Sequence, residues 1–355
     1  FVLPLLVGVL YSVCVNNVMQ YSVLIFSFPY LLFLLFGHIP KQKTIINLLL
    51  VFLILCVNVS GLVFERKHYS SLYESAYLHI LQDGEAAVKN YKNVVTLIDT
   101  DKEISDYYLQ KETYTAHYTF VDTTFTRKRF VSFLKESSRH SPYFYYGCLS
   151  TGDPVSVALI MDYYPILIEQ KNYFGGTTFL FSKGEDTAEN IIEGYGFETH
   201  EKKFWSSVDT TKFVDSTSFS GKYAYLIDST DEWSLTYMRP LKDIAGEKDF
   251  IDVSVEILKE DVLNKALLVS CIQDGDSVVN WSSSVFSDFE ANTGSKPGWV
   301  KIHHSIMLSD IPVKKRNLEI KIYIWNPGKN RFVIDDFIIS RRAGNPVIYS
   351  WYQEI

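Results

Sequence analysis

Long parts of this chain lack charge altogether. Residues 1–37 hold no Asp, Glu, Lys or Arg, and neither does Thr44–Phe64, TIINLLLVFLILCVNVSGLVF. Cysteine is scarce: Cys14, Cys56, Cys148 and Cys271 are scattered with no pair at metal-ligand or redox spacing, so neither a zinc site nor a disulfide framework is indicated. A basic surplus is missing as well, with 34 Lys and Arg against 41 Asp and Glu and a net charge of −7. Nothing forms the basic stripe that phosphate contacts require, which argues against a nucleic-acid partner. No Met and no charged segment precedes the first apolar run, so a signal peptide fits poorly. The expectation is the C-terminal part of a longer polytopic protein.

What the chain does have begins with hydrocarbon. A helix needs ~20 apolar residues to cross a bilayer, and the polar break Asn16-Asn17 divides the first uncharged region in two. Three transmembrane helices are therefore expected within residues 1–64, at about 1–16, 19–38 and 44–64. Lys41 and Lys43 lie in the short loop before the third. Basic residues in short loops favour the cytoplasmic side, so the chain should leave the membrane on its outer face. Membrane lipid is the partner this implies. The location it implies is an integral membrane protein with its C-terminal domains on the periplasmic or extracellular side.

From about residue 65 to 184, apolar runs alternate between helical and strand texture. ERKHYSSLYESAYLHILQDG has helical spacing with Gly84 as its stop, VVTLID (94–99) and YFYYGCL (143–149) read as strands, and helices are expected at 102–111 and 127–138. Asp153-Pro154 should start one helix over VSVALIMDYYPILIEQ, and TTFLFSK should be a further strand. The alternation predicts a small α/β domain. Asp99 and Asp101 flank one residue after the first strand, a pattern similar to the DxD of metal-dependent glycosyltransferases; the commoner use of such residues is to cap the next helix. With closing membrane helices ahead of it, the region including MDYYPILIEQKNYFGGTTFLFSK (161–183) resembles the C-terminal end of polytopic GT-C glycosyltransferases, which use polyprenyl-phosphate sugars. In that family the catalytic acid lies in the first outward loop, so the resemblance assigns no catalytic residue to this chain.

Residues 185–345 change texture to short β-rich runs separated by Gly, Asp, Asn and Ser: KYAYLID, WSLTYM, FIDVSVEIL, ALLVSCIQ, WVKIHHSIML, LEIKIYIWN and FVIDDFIIS. Strands spaced this way predict a β-sandwich. Gly196-Phe197-Glu198, Trp205, Ser220-Gly221-Lys222-Tyr223, Gly298-Trp299-Val300 and Val333-Ile334-Asp335-Asp336-Phe337 resemble the ordered landmarks of jelly-roll carbohydrate-binding modules. That resemblance implies a structural calcium held where the first strand, the Ser-Gly-Lys turn and the last strand converge, at Glu198, Lys222 and Asp335. Lysine could offer only its main-chain oxygen. Sugars stack on exposed aromatic rings, and Trp233 and Trp281, which flank polar loops, are the candidates; Trp205, Trp299 and Trp325 are expected in the core. Residues 346–355 form a tail of unread role.

The fold class expected is thus a membrane α-helical segment, a small α/β domain and an all-β jelly roll. Two functions follow. One is the membrane and extracytoplasmic portion of a polyprenyl-phosphate-sugar-dependent glycosyltransferase whose catalytic part lies elsewhere, with a lipid-linked sugar as partner. The alternative is a non-enzymatic, membrane-anchored carbohydrate-binding or surface-assembly protein, with a glycan as partner. A metal-dependent enzyme using Asp99 and Asp101 is a third.

Overall fold

A computed structural model of the chain describes residues 44–60, 63, 75–111, 113–122, 125–184, 190–199, 202–259, 265–289, 298–311 and 317–347. The chain forms two compact units, one of Phe1–Tyr73 with Ser350–Ile355 and one of Glu74–Tyr349. In the first unit the described element is a helix, α1 (Thr44–Ser60), of 17 residues without a charge. At 1.5 Å per residue it spans ~25 Å against the ~30 Å of a hydrocarbon core. Among the described residues no helix is long and apolar enough to cross a membrane. The first two expected spans lie outside the described residues, so the three-span reading gains no support here.

The second unit is mostly β-structure, and its first layer is a five-stranded sheet. Its strands are β1 (Val94–Asp99), β2 (Tyr118–Phe120), β3 (Tyr143–Leu149), β4 (Ile166–Tyr173) and β5 (Gly176–Ser182), in the order β2-β1-β3-β5-β4. The first three run parallel, and β5 and β4 run antiparallel as a hairpin at the edge. Helix α2 (Ala76–Asn90) buries Ile80 and Leu81 against Ile98 of β1. Helix α3 (Lys102–Lys111) follows β1. Helix α4 (Arg127–His140) buries Phe130, Val131 and Leu134 in the cluster that holds Leu97, Phe144 and Tyr146. Adjacent strand residues point to opposite faces, so α2 and α4 cover opposite sides of the sheet.

Two local expectations are overturned. Gly84 does not stop α2, which continues to Asn90; a Cβ at Gly84 would lie 2.7 Å from the Tyr118 ring and 3.0 Å from Tyr145, so the glycine is there for close packing. The single helix expected over 155–170 is a short helix, α5 (Val155–Met161), followed by strand β4. Pro165 donates no hydrogen bond and restricts Tyr164 before it, and Ile166-Leu167-Ile168 then favours extended chain.

The sandwich occupies the rest. One sheet contains β13 (Ser277–Val285), β12 (Leu267–Asp274), β15 (Leu318–Trp325), β10 (Trp233–Pro240) and β7 (Trp205–Ser206) in that order. The other runs β14 (Trp299–Met307), β11 (Phe250–Lys259), β16 (Phe332–Arg342), β9 (Ala224–Ile227) and β8 (Phe213–Val214), with β6 (Ile191–Tyr195) also on β16. Alternation fills the space between them: Ile251, Val253, Val255 and Ile257 from one sheet face Ile320, Ile322 and Ile324 from the other, all at most 1% exposed. His304 is also inside. Its Nε2 lies 3.0 Å from Ser270 Oγ and its Nδ1 3.1 Å from Ser284 Oγ, and burial pushes its pKa down to about 4.

The outer face of the β14-β11-β16 sheet meets the α/β layer through charge. Asp162, just past α5, takes Lys301 Nζ at 2.7 Å and lies 2.7 Å from His303 Nε2. Arg342 forks onto Asp252 at 2.8 and 3.0 Å and donates to the Pro154 carbonyl. Asn345 donates to the carbonyls of Tyr173 and Gly176. Glu256 sits on the same face with Oε2 unpartnered.

These two acids should respond to pH with opposite sign. Burial would raise the Asp162 carboxyl, but His303 and Lys301 outweigh it and hold it well below the usual range. Its contribution is present above the unfolded-chain value of ~3.9 and is lost as pH falls below it. Asp162→Ala should therefore cost about 3 kcal/mol at pH 7, the scale of a broken buried pair. Burial, with Asp162, Asp336 and Asp335 adding and Lys301 opposing, pushes Glu256 up to about 7. Its contribution is present below ~4.3 and is lost as pH rises through 7. Glu256→Gln should leave denaturant midpoints unchanged at pH 4 and raise stability by on the order of 2 kcal/mol at pH 8. Equal midpoints for Asp162→Ala and wild type at pH 7, or a Glu256→Gln effect that ignores pH, would contradict this assignment.

Candidate functional site

Strand β15 lies in the middle of its sheet, and its alternation sends Ile320, Ile322 and Ile324 inward and Glu319, Lys321, Tyr323 and Trp325 outward. Residues directly opposite in an antiparallel pair share a face. On β10, Trp233 lies opposite Trp325, Thr236 opposite Tyr323 and Met238 opposite Lys321. On the other side Cys271 of β12 lies opposite Lys321, and Trp281 of β13 lies opposite Cys271. The register thereby brings three tryptophans and a tyrosine onto the outer face.

Their rings touch. Trp233 and Trp325 are stacked, with centroids 5.4 Å apart and planes at 6°. Tyr323 meets Trp233 edge-on at 5.6 Å, and Trp281 meets Trp325 edge-on at 6.5 Å. Trp233 is 55% exposed and Trp281 47%, while Trp325 and Tyr323 are half-buried beneath them. Burial raises the Tyr323 phenol, with its hydrogen bond to Trp281 pulling the other way. It is neutral at pH 7 and can both donate and accept. Around the rings stand Lys321, Glu319, Gln273 and Thr236.

Such a face offers what a sugar needs: flat rings for the CH-bearing side of a pyranose, and polar side chains at the margin for its hydroxyls. The two exposed tryptophans named from the sequence share it. Trp205 and Trp299 are buried. Trp325, expected in the core, belongs to the face instead, and so does Tyr323. The signal was in the chain: extending the alternation of Leu318–Ile324 by one residue places Trp325 on the water side.

Glu198, Lys222 and Asp335 also come together, around the turn at 219–223. Glu198 Oε1 accepts the N–H groups of Lys222 (2.7 Å) and Tyr223 (3.0 Å), which lowers its pKa. Asp335 Oδ2 accepts from Phe219 (2.8 Å) and Ser220 (3.0 Å), and its Oδ1 accepts from Asp336 N–H at 2.8 Å. Burial pushes Asp335 up to about 6 against these bonds. Gly221 has φ +56°, and a Cβ there would lie 2.2 Å from Glu198 Oε1, so only glycine lets the turn press on that carboxylate. Both Asp335 oxygens and Glu198 Oε1 thus accept N–H groups in this arrangement, and a calcium ion here would need further oxygens, since calcium takes six to eight. Among the described residues no group of three or more His, Cys, Asp or Glu is placed to hold a metal.

Asp99 and Asp101, by contrast, take separate partners. Asp101 Oδ1 accepts the N–H groups of Glu103 and Ile104 at the start of α3, while Asp99 Oδ2 accepts from the Tyr146 hydroxyl. One is a cap; the other faces a cavity.

No protein-family profile matches the chain, and no curated protein matches it. Solved structures similar to part of it include the CBM22-1 xylan-binding domain of Paenibacillus barcinonensis Xyn10C, at 13% identity over 44% of this chain and 96% of that one, with a TM-score of 0.30. Another is TmCBM61 in complex with beta-1,4-galactotriose, at 20% identity over 43% and 99%, with a TM-score of 0.27. A cyclase from Fischerella sp. TAU is similar at 9% identity over 38% and 70%, with a TM-score of 0.25. At these identities and TM-scores the likenesses carry no argument about what this chain binds. The sandwich is read from its own strands, and the site from its own rings.

Proposed function

We propose that this is a non-enzymatic carbohydrate-binding protein whose sandwich holds a glycan on the aromatic face of Trp233, Trp281, Trp325 and Tyr323. The observation that carries the reading is the exposure of two stacked or edge-packed tryptophans on an open sheet face, where water would otherwise cover large apolar rings. Because the face is open, its ligand is an internal stretch of a polysaccharide, lying across the strands. The uncharged helix α1, whose described apolar side chains such as Ile45, Leu48 and Phe52 are exposed, supports a membrane attachment. With Lys41 and Lys43 retained inside, the sandwich faces the periplasm or the extracellular space. The glycosyltransferase reading draws support only from the order of segments in the sequence.

Stacking a pyranose on a ring contributes on the order of 1 kcal/mol per contact. Trp233→Ala and Trp281→Ala should therefore each weaken binding of a soluble polysaccharide roughly fivefold to tenfold, and the double variant more, with the fold retained by circular dichroism. The measurement is affinity electrophoresis of the full chain through gels containing xylan, galactan, glucan or mannan. Retardation equal in wild type and double variant, or none by any polymer, would sink the proposal.

A further inference from the structure

A concavity lies outside the aromatic face, lined mostly by residues of the α/β layer. At the carboxyl ends of the parallel strands β1, β2 and β3 the α/β layer opens into a cavity of about 520 Å³, within the ~300–1,000 Å³ of small-molecule sites. The strand order places β2 on one side of β1 and β3 on the other. The connections after β1 and β3 therefore diverge, and a crevice opens where ligands of α/β sheets bind.

Each wall has its own chemistry. Asp99 comes from the end of β1, Phe125 and Arg127 from the start of α4, Asp153 and Ser156 from the start of α5, and Asp288 from the 3₁₀ turn Phe286–Asp288 of the sandwich. Arg127 Nη2 donates to Asp153 Oδ2 at 2.9 Å, its Nη1 lies 3.9 Å from Asp288 Oδ2, and its guanidinium covers the Phe289 ring at 4.9 Å. One arginine thus holds Asp153 by a hydrogen bond and stands near Asp288. Asp99 is oriented by Tyr146, and burial raises its carboxyl against that hydrogen bond. The loop after β3 can pass it because residue 152 is glycine: a Cβ there would stand 3.0 Å from Asp99 Oδ2.

Three carboxylates against Arg127 and Lys128 make a poor phosphate site, and the N-terminus of α4 is already capped, Thr126 Oγ1 accepting from Arg129 N–H. Oriented carboxylates beside a guanidinium, with phenylalanine for an apolar wall, instead match vicinal hydroxyls and the CH face of an uncharged sugar. We propose that this cavity is a second saccharide site, a pocket that takes the terminal unit of a neutral glycan. It stands whether or not the aromatic face binds polysaccharide.

Hydrogen exchange of the full chain, read by mass spectrometry with and without a panel of neutral methyl glycosides and disaccharides, tests this. At least one neutral saccharide should protect residues 125–130 and 153–159. Protection should persist in the Trp233→Ala/Trp281→Ala variant and require at least tenfold more sugar in Asp153→Ala. If Asp153→Ala fails to fold, Ser156→Leu, which fills the cavity, should show the same loss. No protection by any neutral saccharide, protection by glucose 1-phosphate alone, or protection lost with the tryptophans but not with the pocket variants would each overturn the proposal.

Discussion

The register of β15 is the constraint on which the sandwich and its outer face both depend. Its three inward isoleucines are fully buried, and a slip of one residue would put them in water and Tyr323 and Trp325 in the core. The pairings on either side, to β12 and β10, transmit that choice across the sheet. The irregularity between Trp233 and Thr236 lets Trp233 return to the place opposite Trp325. Core and aromatic face are therefore two sides of one alternation. A substitution that weakens the inner row should also disorder the outer one.

The opposite sheet is committed differently. Its outer face carries Asp252, Glu256, Lys301, His303 and Arg342, and the α/β layer meets it through Asp162, the Pro154 carbonyl and the loop that Asn345 holds. Buried ion pairs offset much of their attraction by desolvation. What they supply is one relative placement of the two layers, because the Arg342 bond to the Pro154 carbonyl and the paired contacts of Asp162 with Lys301 and His303 fit in few arrangements. That placement brings Asp288 of the sandwich to the rim of the cavity at the ends of β1, β2 and β3.

Much of the sandwich was legible in the sequence because its strands alternate strictly and end at turn residues. Each of the seven runs named there contains or overlaps a strand of the structure. The short strands β6, β7 and β8 were not legible, since two to five residues carry too little pattern. Nor was β13, whose serines read as loop although its Ser282 and Ser284, with Ser270 of β12, line the buried His304. In the α/β layer the two differences have separate causes: Gly84 serves close packing rather than helix termination, and Pro165 separates a short helix from strand β4 within 155–170. Of the candidate site, Trp233 and Trp281 could be named from neighbouring polar loops. Their union with Trp325 and Tyr323 depends on pairing across four strands, which no local pattern carries.

Indole N–H resonances report each tryptophan separately and test the central claim most directly. On titrating the full chain with an oligosaccharide of the polymer that retards it, the indole signals of Trp233, Trp281 and Trp325 should shift together along one saturation curve, with those of Trp205 and Trp299 unmoved. Shifts confined to the buried pair, or an unchanged outer trio at saturation, would contradict it.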